Sequence, residues 1–227
     1  MRAKEFVTEI SRRDLLKGAA GAGVAAGAGI GAYMVGKNLV NKPEPAPEPE
    51  PRLKPPSPIS KNPEYESLVL KAARSVSPAI EGIELAAFLA QCYHESAGFT
   101  AMREYGGPKR FKKLYDIANN PRLAKILGNL HVGDGIRYHG RGFIQLTGRA
   151  NYKAAGAALG KDLEGHPELA MDPVTAAKIA AWYWVNRVRP YVKDFSDVSA
   201  VTRKINAKLQ GLSSREAAFR QYLKTMK

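Results

Sequence analysis

The 227-residue chain is long enough for one ordinary domain with appendages, and its 44% hydrophobic content permits a packed core. Its single cysteine excludes an internal disulfide framework. The formal net charge of +14 indicates an anionic partner, such as an anionic membrane or an acidic wall polymer, or else a soluble basic surface without a partner. The sequence contains no zinc-finger or RNA-binding aromatic motif, so we expect no nucleic-acid partner.

The first two segments resemble an export signal. Residues 1–17 form a polar N-region, predicted to be cytoplasmic, that ends in SRRDLLK; this pattern resembles a twin-arginine signal with Leu15 where Phe is usual. Residues 18–36 are uncharged and consist mostly of Gly and Ala. A helix of that length would just span a bilayer, although Gly and Ala contribute little transfer free energy. We therefore predict a signal or membrane-spanning helix within 18–40, with the rest of the chain on the periplasmic side of the inner membrane.

A proline-rich segment separates this helix from the remainder of the chain. Eight prolines fall within residues 41–60, interleaved with Glu44, Glu48 and Glu50. Because proline-rich chains are extended and semi-rigid, we interpret 41–60 as a spacer.

Helical patterns dominate residues 61–227, the predicted globular domain. Pro63 suits the first turn of one helix, and Pro78 is expected to open a second helix that reaches His94. The second helix is apolar on two faces and is therefore expected to be central. Further helices are predicted at 121–127, 152–159, 173–186, 197–209 and 213–226. Alternating apolar and polar residues over 140–147 predict a short extended segment, so the expected fold class is mainly α-helical with a short β segment.

Two glutamates follow the central helix, and their surroundings differ. Glu95 lies at the helix end, with Gly98 available as a stop, where the helix dipole and apolar neighbours should raise the pKa of its carboxyl group. Glu104 follows nine residues later, and neighbouring basic side chains should keep it ionised. These basic side chains belong to Arg103, Arg110 and Lys112. A protonated acid beside an ionised base is the arrangement needed to hydrolyse a glycosidic bond, although either glutamate taken alone is more often structural.

The downstream run YHGRGFIQLTGRANY at 138–152 makes the pair more specific. Together with AAFLAQCYHES at 86–96 and Glu104, it resembles glycoside hydrolase family 19, the chitinase-like group that includes many phage and bacterial lysozymes. Shorter matches are HPELA at 166–170, AAWYW at 180–184 and TRKIN at 202–206, so the resemblance extends over roughly residues 63–223.

The resemblance implies a lysozyme-like α-helical catalytic domain in which Glu95 is the general acid and Glu104 is the general base of an inverting reaction. The short interval between the two glutamates is similar to that of the lysozyme branch. Thr147 would fix the attacking water, and Arg215 would lie near the acid unless it is a surface charge of its helix. The residues implied to line the saccharide cleft are Tyr138, Arg141, Gln145, Asn151 and Asn206.

Several other side chains have simpler interpretations. We expect Cys92 to be a buried small hydrophobe and His94 to be a packed, hydrogen-bonded residue. Trp182 and Trp184 could stack on sugars, but at least one of them is expected in the core. The spacing of His131, Asp134 and His139 fits no familiar zinc motif, so neither a metal nor another cofactor is expected.

These features lead to three hypotheses on function. The leading hypothesis is a peptidoglycan-degrading glycosidase, a lysozyme or endolysin that contributes to cell-wall lysis and is tethered to the inner membrane through residues 18–36. Its most specific version is a phage endolysin of the signal-arrest-release type. The alternatives are a secreted bacterial chitinase, and a catalytically silent wall-binding or virion module on the same fold.

Overall fold

The computed structural model describes residues 59–226. The segments predicted at 1–17 and 18–40, and all but the last two residues of 41–60, lie outside the described residues. Within residues 59–226, no helix combines the length and the apolar character that crossing a bilayer requires.

Helices make up most of the described domain, which confirms the expected fold class. The α-helices are α1 (Pro63–Ser75), α2 (Gly82–Glu95), α3 (Pro108–Tyr115), α4 (Pro121–Leu127), α5 (Asp134–Arg137), α6 (Arg149–Leu159), α7 (Pro173–Tyr183), α8 (Val198–Ile205) and α9 (Leu212–Thr225). Two 3₁₀ turns (Pro167–Met171 and Arg189–Tyr191) and a π-helical turn (Trp184–Val188) flank α7.

Helix α2 is the central helix, as its two apolar faces predict. It packs along α9, while α1 packs against α7. Phe88 and Leu89 on α2 are fully buried, and Phe88 meets Trp184 edge-on with ring centroids 5.3 Å apart. Trp184 is therefore a core residue, and its indole nitrogen donates to Glu84 on the first turn of α2 at 2.8 Å.

A second, smaller apolar cluster lies under α3 and α4. Phe111, Leu114 and Tyr115 from α3 pack against Leu123 and Leu127 from α4. The sequence prediction missed α3, although a proline at its first turn and apolar residues at intervals of three and four are a helix signal. We call residues 105–133, which include α3 and α4, the basic lobe.

Residues 140–147, predicted to be extended, contain a tight turn that is closed by an isolated β-bridge. Arg141 bridges Arg103 on one side and Leu146 on the other, both antiparallel. Residues 142–145 form the turn, with a positive φ of 75° at Gly142 and 54° at Gln145. The alternating pattern therefore located the β-like segment correctly but overestimated its regular length.

Helix boundaries differ from prediction where tertiary contacts intervene. The second helix begins at Gly82 and not at Pro78, because Ile80 donates its backbone N–H to Ala73 at 3.0 Å and ties this segment to α1. The helix predicted at 197–209 ends at Ile205, since Asn206 adopts extended backbone angles.

Candidate active site

Glu95 is the last residue of α2, and its side chain is completely buried. Arg215 of α9 is equally buried and donates from Nη2 to Glu95 Oε1 at 2.5 Å. Arg215 is therefore a partner of Glu95, and the alternative of a helix-surface charge is wrong. A buried ion pair with both side chains excluded from water fixes the position of each group, because separating them would leave a charge without compensation.

A chain of hydrogen bonds continues from this pair into α8. Arg215 Nη1 donates to the side-chain oxygen of Gln91, one turn before Glu95 on α2. Gln91 Nε2 in turn donates to Thr202 Oγ1 at 3.1 Å, and Thr202 donates to the Val198 carbonyl at 2.6 Å. Sequence reasoning missed Gln91, although its position four residues before Glu95 on a helix places both side chains on one face.

Glu104 lies on the extended segment that pairs with Gly140. Its backbone N–H donates to the Gly140 carbonyl at 2.9 Å, and the Gly140 N–H donates back to Glu104 Oε2 at 3.1 Å. The hydroxyl of Tyr115, at the end of α3, donates to the same carboxylate at 3.0 Å from Oε1. Three groups on two elements thus orient Glu104, and Tyr115 is a second residue that sequence reasoning missed.

Burial raises the pKa of the Glu104 carboxyl group above its ordinary value. The Gly140 and Tyr115 hydrogen bonds and the nearby Arg110 act in the opposite direction but do not outweigh it. Of the three basic neighbours considered from the sequence, only Arg110 lowers this pKa, and burial outweighs it. Arg103 does not pair with Glu104; its Nε donates to His139 Nε2 at 3.1 Å.

A tight loop connects the two glutamates. Ala97, Gly98 and Phe99 all have positive φ angles of 51°, 78° and 63°. Gly98 donates its N–H to the Tyr93 carbonyl at 2.7 Å and ends the helix as predicted, while Phe99 is fully buried in the core. Thr100 and Ala101 donate their N–H groups to the Ser96 carbonyl at 2.9 and 2.8 Å, so the loop folds back onto the end of α2.

Gln145 lies next to Glu104. A Cβ atom added at Gly140 would lie 2.8 Å from Gln145 Oε1 and 3.2 Å from Glu104 Oε2, so both polar groups adjoin the same glycine. Thr147 donates its hydroxyl to the Gln145 carbonyl at 2.9 Å, and Asn151 donates to the Thr147 carbonyl at 2.8 Å. The structure therefore brings Glu104, Gln145, Thr147 and Asn151 onto one turn.

Four of the five residues expected to line a saccharide cleft, Tyr138, Arg141, Gln145 and Asn206, are at most 8% exposed. Tyr138 has no exposed surface, and its hydroxyl donates to the Glu164 carbonyl at 2.9 Å. Arg141 is 8% exposed and Asn206 is 1% exposed. Burial does not separate these residues from one another, and a direct contact of any of them with a saccharide stays a prediction.

The remaining titratable residues near the site have local explanations. Burial raises the pKa of the Cys92 thiol well above its ordinary value, in agreement with a small buried hydrophobe. Burial, assisted by the charge of Arg215, lowers the pKa of His94 to about 4. His94 packs against Gly211, but within residues 59–226 its Nε2 makes no hydrogen bond, contrary to expectation.

The three side chains considered as a zinc site each have another contact or face solvent. Asp134 pairs with Arg149 at 2.6 Å, and His131 is exposed. His139 stacks on Phe111 with ring centroids 4.3 Å apart.

Residues 73–202 match the family model of glycoside hydrolase family 19, described as chitinase class I. A Haemophilus influenzae protein named as containing a glycosyl hydrolase family 19 domain is 33% identical over 168 residues, which cover 64% of this chain and 82% of that protein. Chitinase 8 of Oryza sativa is 40% identical over 105 residues, 45% of this chain and 34% of the rice protein. The chain therefore spans about a third to a half of the plant chitinases that it matches.

Solved structures give the same family. Chitinase C of Streptomyces griseus superposes with a TM-score of 0.52 at 27% identity, covering 72% of this chain and 68% of that one. A class IV chitinase of the same family from Zea mays gives a TM-score of 0.54 at 25% identity, covering 70% and 80%. Separately, residues 9–29 match the twin-arginine translocation signal, which confirms the predicted type of signal and indicates export across a membrane.

Proposed function

From the premise that this chain belongs to glycoside hydrolase family 19, we propose that it hydrolyses β-1,4 bonds in a glycan of N-acetylated amino sugars, with Glu95 as acid and Glu104 as base. The observation that carries the proposal is the contrast between the two carboxylates. Glu95 is fixed by a buried guanidinium, whereas Glu104 is half-buried and accepts hydrogen bonds from Tyr115 and Gly140. Family membership makes the chain a glycoside hydrolase and removes the support for a catalytically silent module.

The proposed reaction proceeds in one displacement. Glu95 enters the step protonated. Glu104 takes a proton from a water molecule, which attacks the anomeric carbon, while Glu95 gives its proton to the departing glycosidic oxygen and becomes the carboxylate that pairs with Arg215. Arg215 contacts Oε1 of Glu95 and so fixes the orientation of the carboxyl group that gives the proton. Attack and departure on opposite faces of the sugar invert the anomeric configuration. Gln145 and Thr147 lie on the turn beside Glu104, and we assign them to the saccharide and to the attacking water.

Chitin is the first candidate substrate, because the rice relative and the superposed structures are named as chitinases. Peptidoglycan, the substrate of our leading sequence hypothesis, is the second candidate. Residues 61–227 carry 26 Lys and Arg against 15 Asp and Glu, an excess that favours an acidic glycan over a neutral one.

Retention in the membrane is a separate part of the proposal. The twin-arginine signal accounts for export, and the uncharged stretch at 18–36 is long enough to hold the protein in the inner membrane as an endolysin of the signal-arrest-release type. Fractionation of expressing cells tests this: the full-length chain should remain in the membrane fraction. A shortened chain found only in the periplasm would show that the segment is cleaved.

The activity is tested with the full-length protein on soluble chito-oligosaccharides and on purified sacculi. Glu95→Gln and Glu104→Gln should each lower the turnover by at least about 100-fold, since each removes one proton-transfer group. Glu216→Gln, which removes the same charge from a partly exposed position on α9, is the matched control and should retain activity. Nuclear magnetic resonance of fresh products should show the inverted anomer; a retained anomer, or an active Glu95→Gln variant, would refute the mechanism.

A further inference from the structure

The exposed charge of the basic lobe, residues 105–133, has one sign. The lobe contains six basic side chains and one acidic residue. The acidic residue, Asp116, is fully buried and accepts the Gly133 N–H at 2.6 Å. The basic residues are Lys109, Arg110, Lys112, Lys113, Arg122 and Lys125.

The cations of the lobe are also unpaired within the part of the chain that the structure describes. Elsewhere in residues 59–226, Arg149, Arg189 and Arg215 each form an ion pair with a carboxylate. None of the six basic side chains of the lobe does so. Lys109 and Lys113 stand one turn apart on α3, where like charges repel each other. Such an arrangement destabilises the isolated protein slightly, and an anionic ligand would relieve it.

The lobe adjoins the proposed reaction site directly. Tyr115, at the end of α3, donates to Glu104, and the charge of Arg110 acts on the pKa of the same carboxyl group. Tyr105 follows Glu104 in the chain and is 90% exposed, so a flat aromatic ring stands at the boundary between the site and the lobe. Exposed aromatic rings of this kind offer an apolar face on which a sugar ring can stack. A glycan bound at Glu104 would therefore continue along Tyr105 towards the cations.

We infer that the basic lobe binds the carboxylates of an anionic glycan, so that the enzyme prefers a peptide-substituted wall glycan to uncharged chitin. This inference rests on the proposed function, because it takes the glycan at Glu104 as the ligand that reaches the lobe. A neutral polysaccharide would gain nothing from six unpaired cations. Each exposed ion pair contributes up to about fivefold in a binding constant, and the contribution falls as salt screens it.

The test is a binding measurement that does not depend on turnover. Full-length protein with Glu104→Gln is sedimented with purified sacculi or with chitin, at about 0.1 M and about 1 M salt, where charges are screened over about 10 Å and 3 Å. One variant removes three exposed lysines of the lobe (Lys109→Gln, Lys112→Gln and Lys113→Gln). The matched control removes three exposed helical lysines elsewhere (Lys71→Gln, Lys178→Gln and Lys224→Gln).

At low salt, we expect the ratio of sacculus binding to chitin binding to be roughly tenfold smaller for the lobe variant than for the parent. At high salt, this ratio should differ little between the two proteins. The control should keep the preference, and both variants should have the urea midpoint of the parent. An equal loss in the lobe variant and the control, or a preference insensitive to salt, would overturn the inference.

An anionic lipid surface is the competing occupant, because Leu130 and Val132 of the lobe are 62% and 70% exposed. Vesicles of phosphatidylglycerol are therefore included as a third ligand. Binding to vesicles that is lost in the lobe variant, together with unchanged binding to sacculi, would replace the glycan with lipid. These outcomes differ from failure of the proposed function, which would appear as active Glu95→Gln or Glu104→Gln variants.

Discussion

Replacing Arg215 with methionine tests whether the buried ion pair holds the acid in place. The substitution keeps most of the side-chain length but removes the guanidinium from both Glu95 and Gln91. Both side chains of the ion pair are 0% exposed, so water cannot take the place of the lost partner. Breaking such a pair costs about 3–5 kcal/mol in the free energy of unfolding. For a domain of this size, 1 kcal/mol corresponds to about 2–4 °C, so we expect a fall of roughly 6–20 °C in the melting temperature.

A second substitution separates the lost charge pair from the lost packing. Glu95→Met combined with Arg215→Met removes the uncompensated carboxylate, and replacing both members of a buried pair with apolar residues is often nearly neutral. Gln91 would still lack its donor, which costs about 1–3 kcal/mol. The double variant should therefore recover part of the stability lost by the single variant, although it cannot be active.

Urea denaturation followed by circular dichroism measures these differences. Arg220→Met on the same helix is the control, because its side chain is 65% exposed and its contact with Glu216 is a surface pair worth at most about 1 kcal/mol. If Arg215→Met unfolds within about 1 kcal/mol of the parent, or if the double variant is less stable than the single variant, the ion pair does not have the energetic role assigned to it.

Three further predictions follow from the geometry. Tyr115→Phe removes a hydrogen bond that opposes the raised pKa of Glu104, so the acidic limb of the kcat/KM profile should move to higher pH because the base must be ionised to act. Gly211→Ala should lower the urea midpoint, since the residue has a φ of 72° and a Cβ atom would collide with the His94 ring. Burial lowers the pKa of His94 and of His139 to about 4, whereas the unfolded chain binds these protons near pH 6.5; the free energy of unfolding should therefore fall as the pH drops from about 6.5 to 4.

Each of these predictions has its own control. Tyr105→Phe removes an exposed hydroxyl and should leave the acidic limb in place. Gly160→Ala introduces a Cβ atom at a similar φ of 63° with nothing within 4 Å, so it should cost less than Gly211→Ala. In urea titrations from pH 7 to pH 4, His94→Gln should flatten the loss of stability; an unchanged slope would contradict the assignment of the buried neutral imidazole.

Local sequence signals predicted the helices whose first turns are capped by neighbouring side chains. Helices α1, α4 and α7 each begin with proline after a capping Asn or Asp, so propensity and capping agree. Pro78 follows the same proline rule, but no helix begins there, because the hydrogen bond from the Ile80 N–H to the Ala73 carbonyl ties this segment to α1. Likewise, the partnership of Arg215 with Glu95 joins residues 120 positions apart, and no local pattern contains it. The resemblance to a family suggested it, whereas helical periodicity alone did not.

The run at 138–148 illustrates how contacts within the fold bear on the roles that the family resemblance implied. The family resemblance implies that Arg141 lines the saccharide cleft. In the structure its Nη1 donates inward to the carbonyls of Arg137 and His139 and lies 2.9 Å from the Tyr152 hydroxyl. These acceptors fix the backbone just before Gly140, the residue whose N–H and carbonyl hold Glu104. We therefore expect Arg141 to act on the base through the backbone, so that its replacement alters turnover more than the affinity for saccharide.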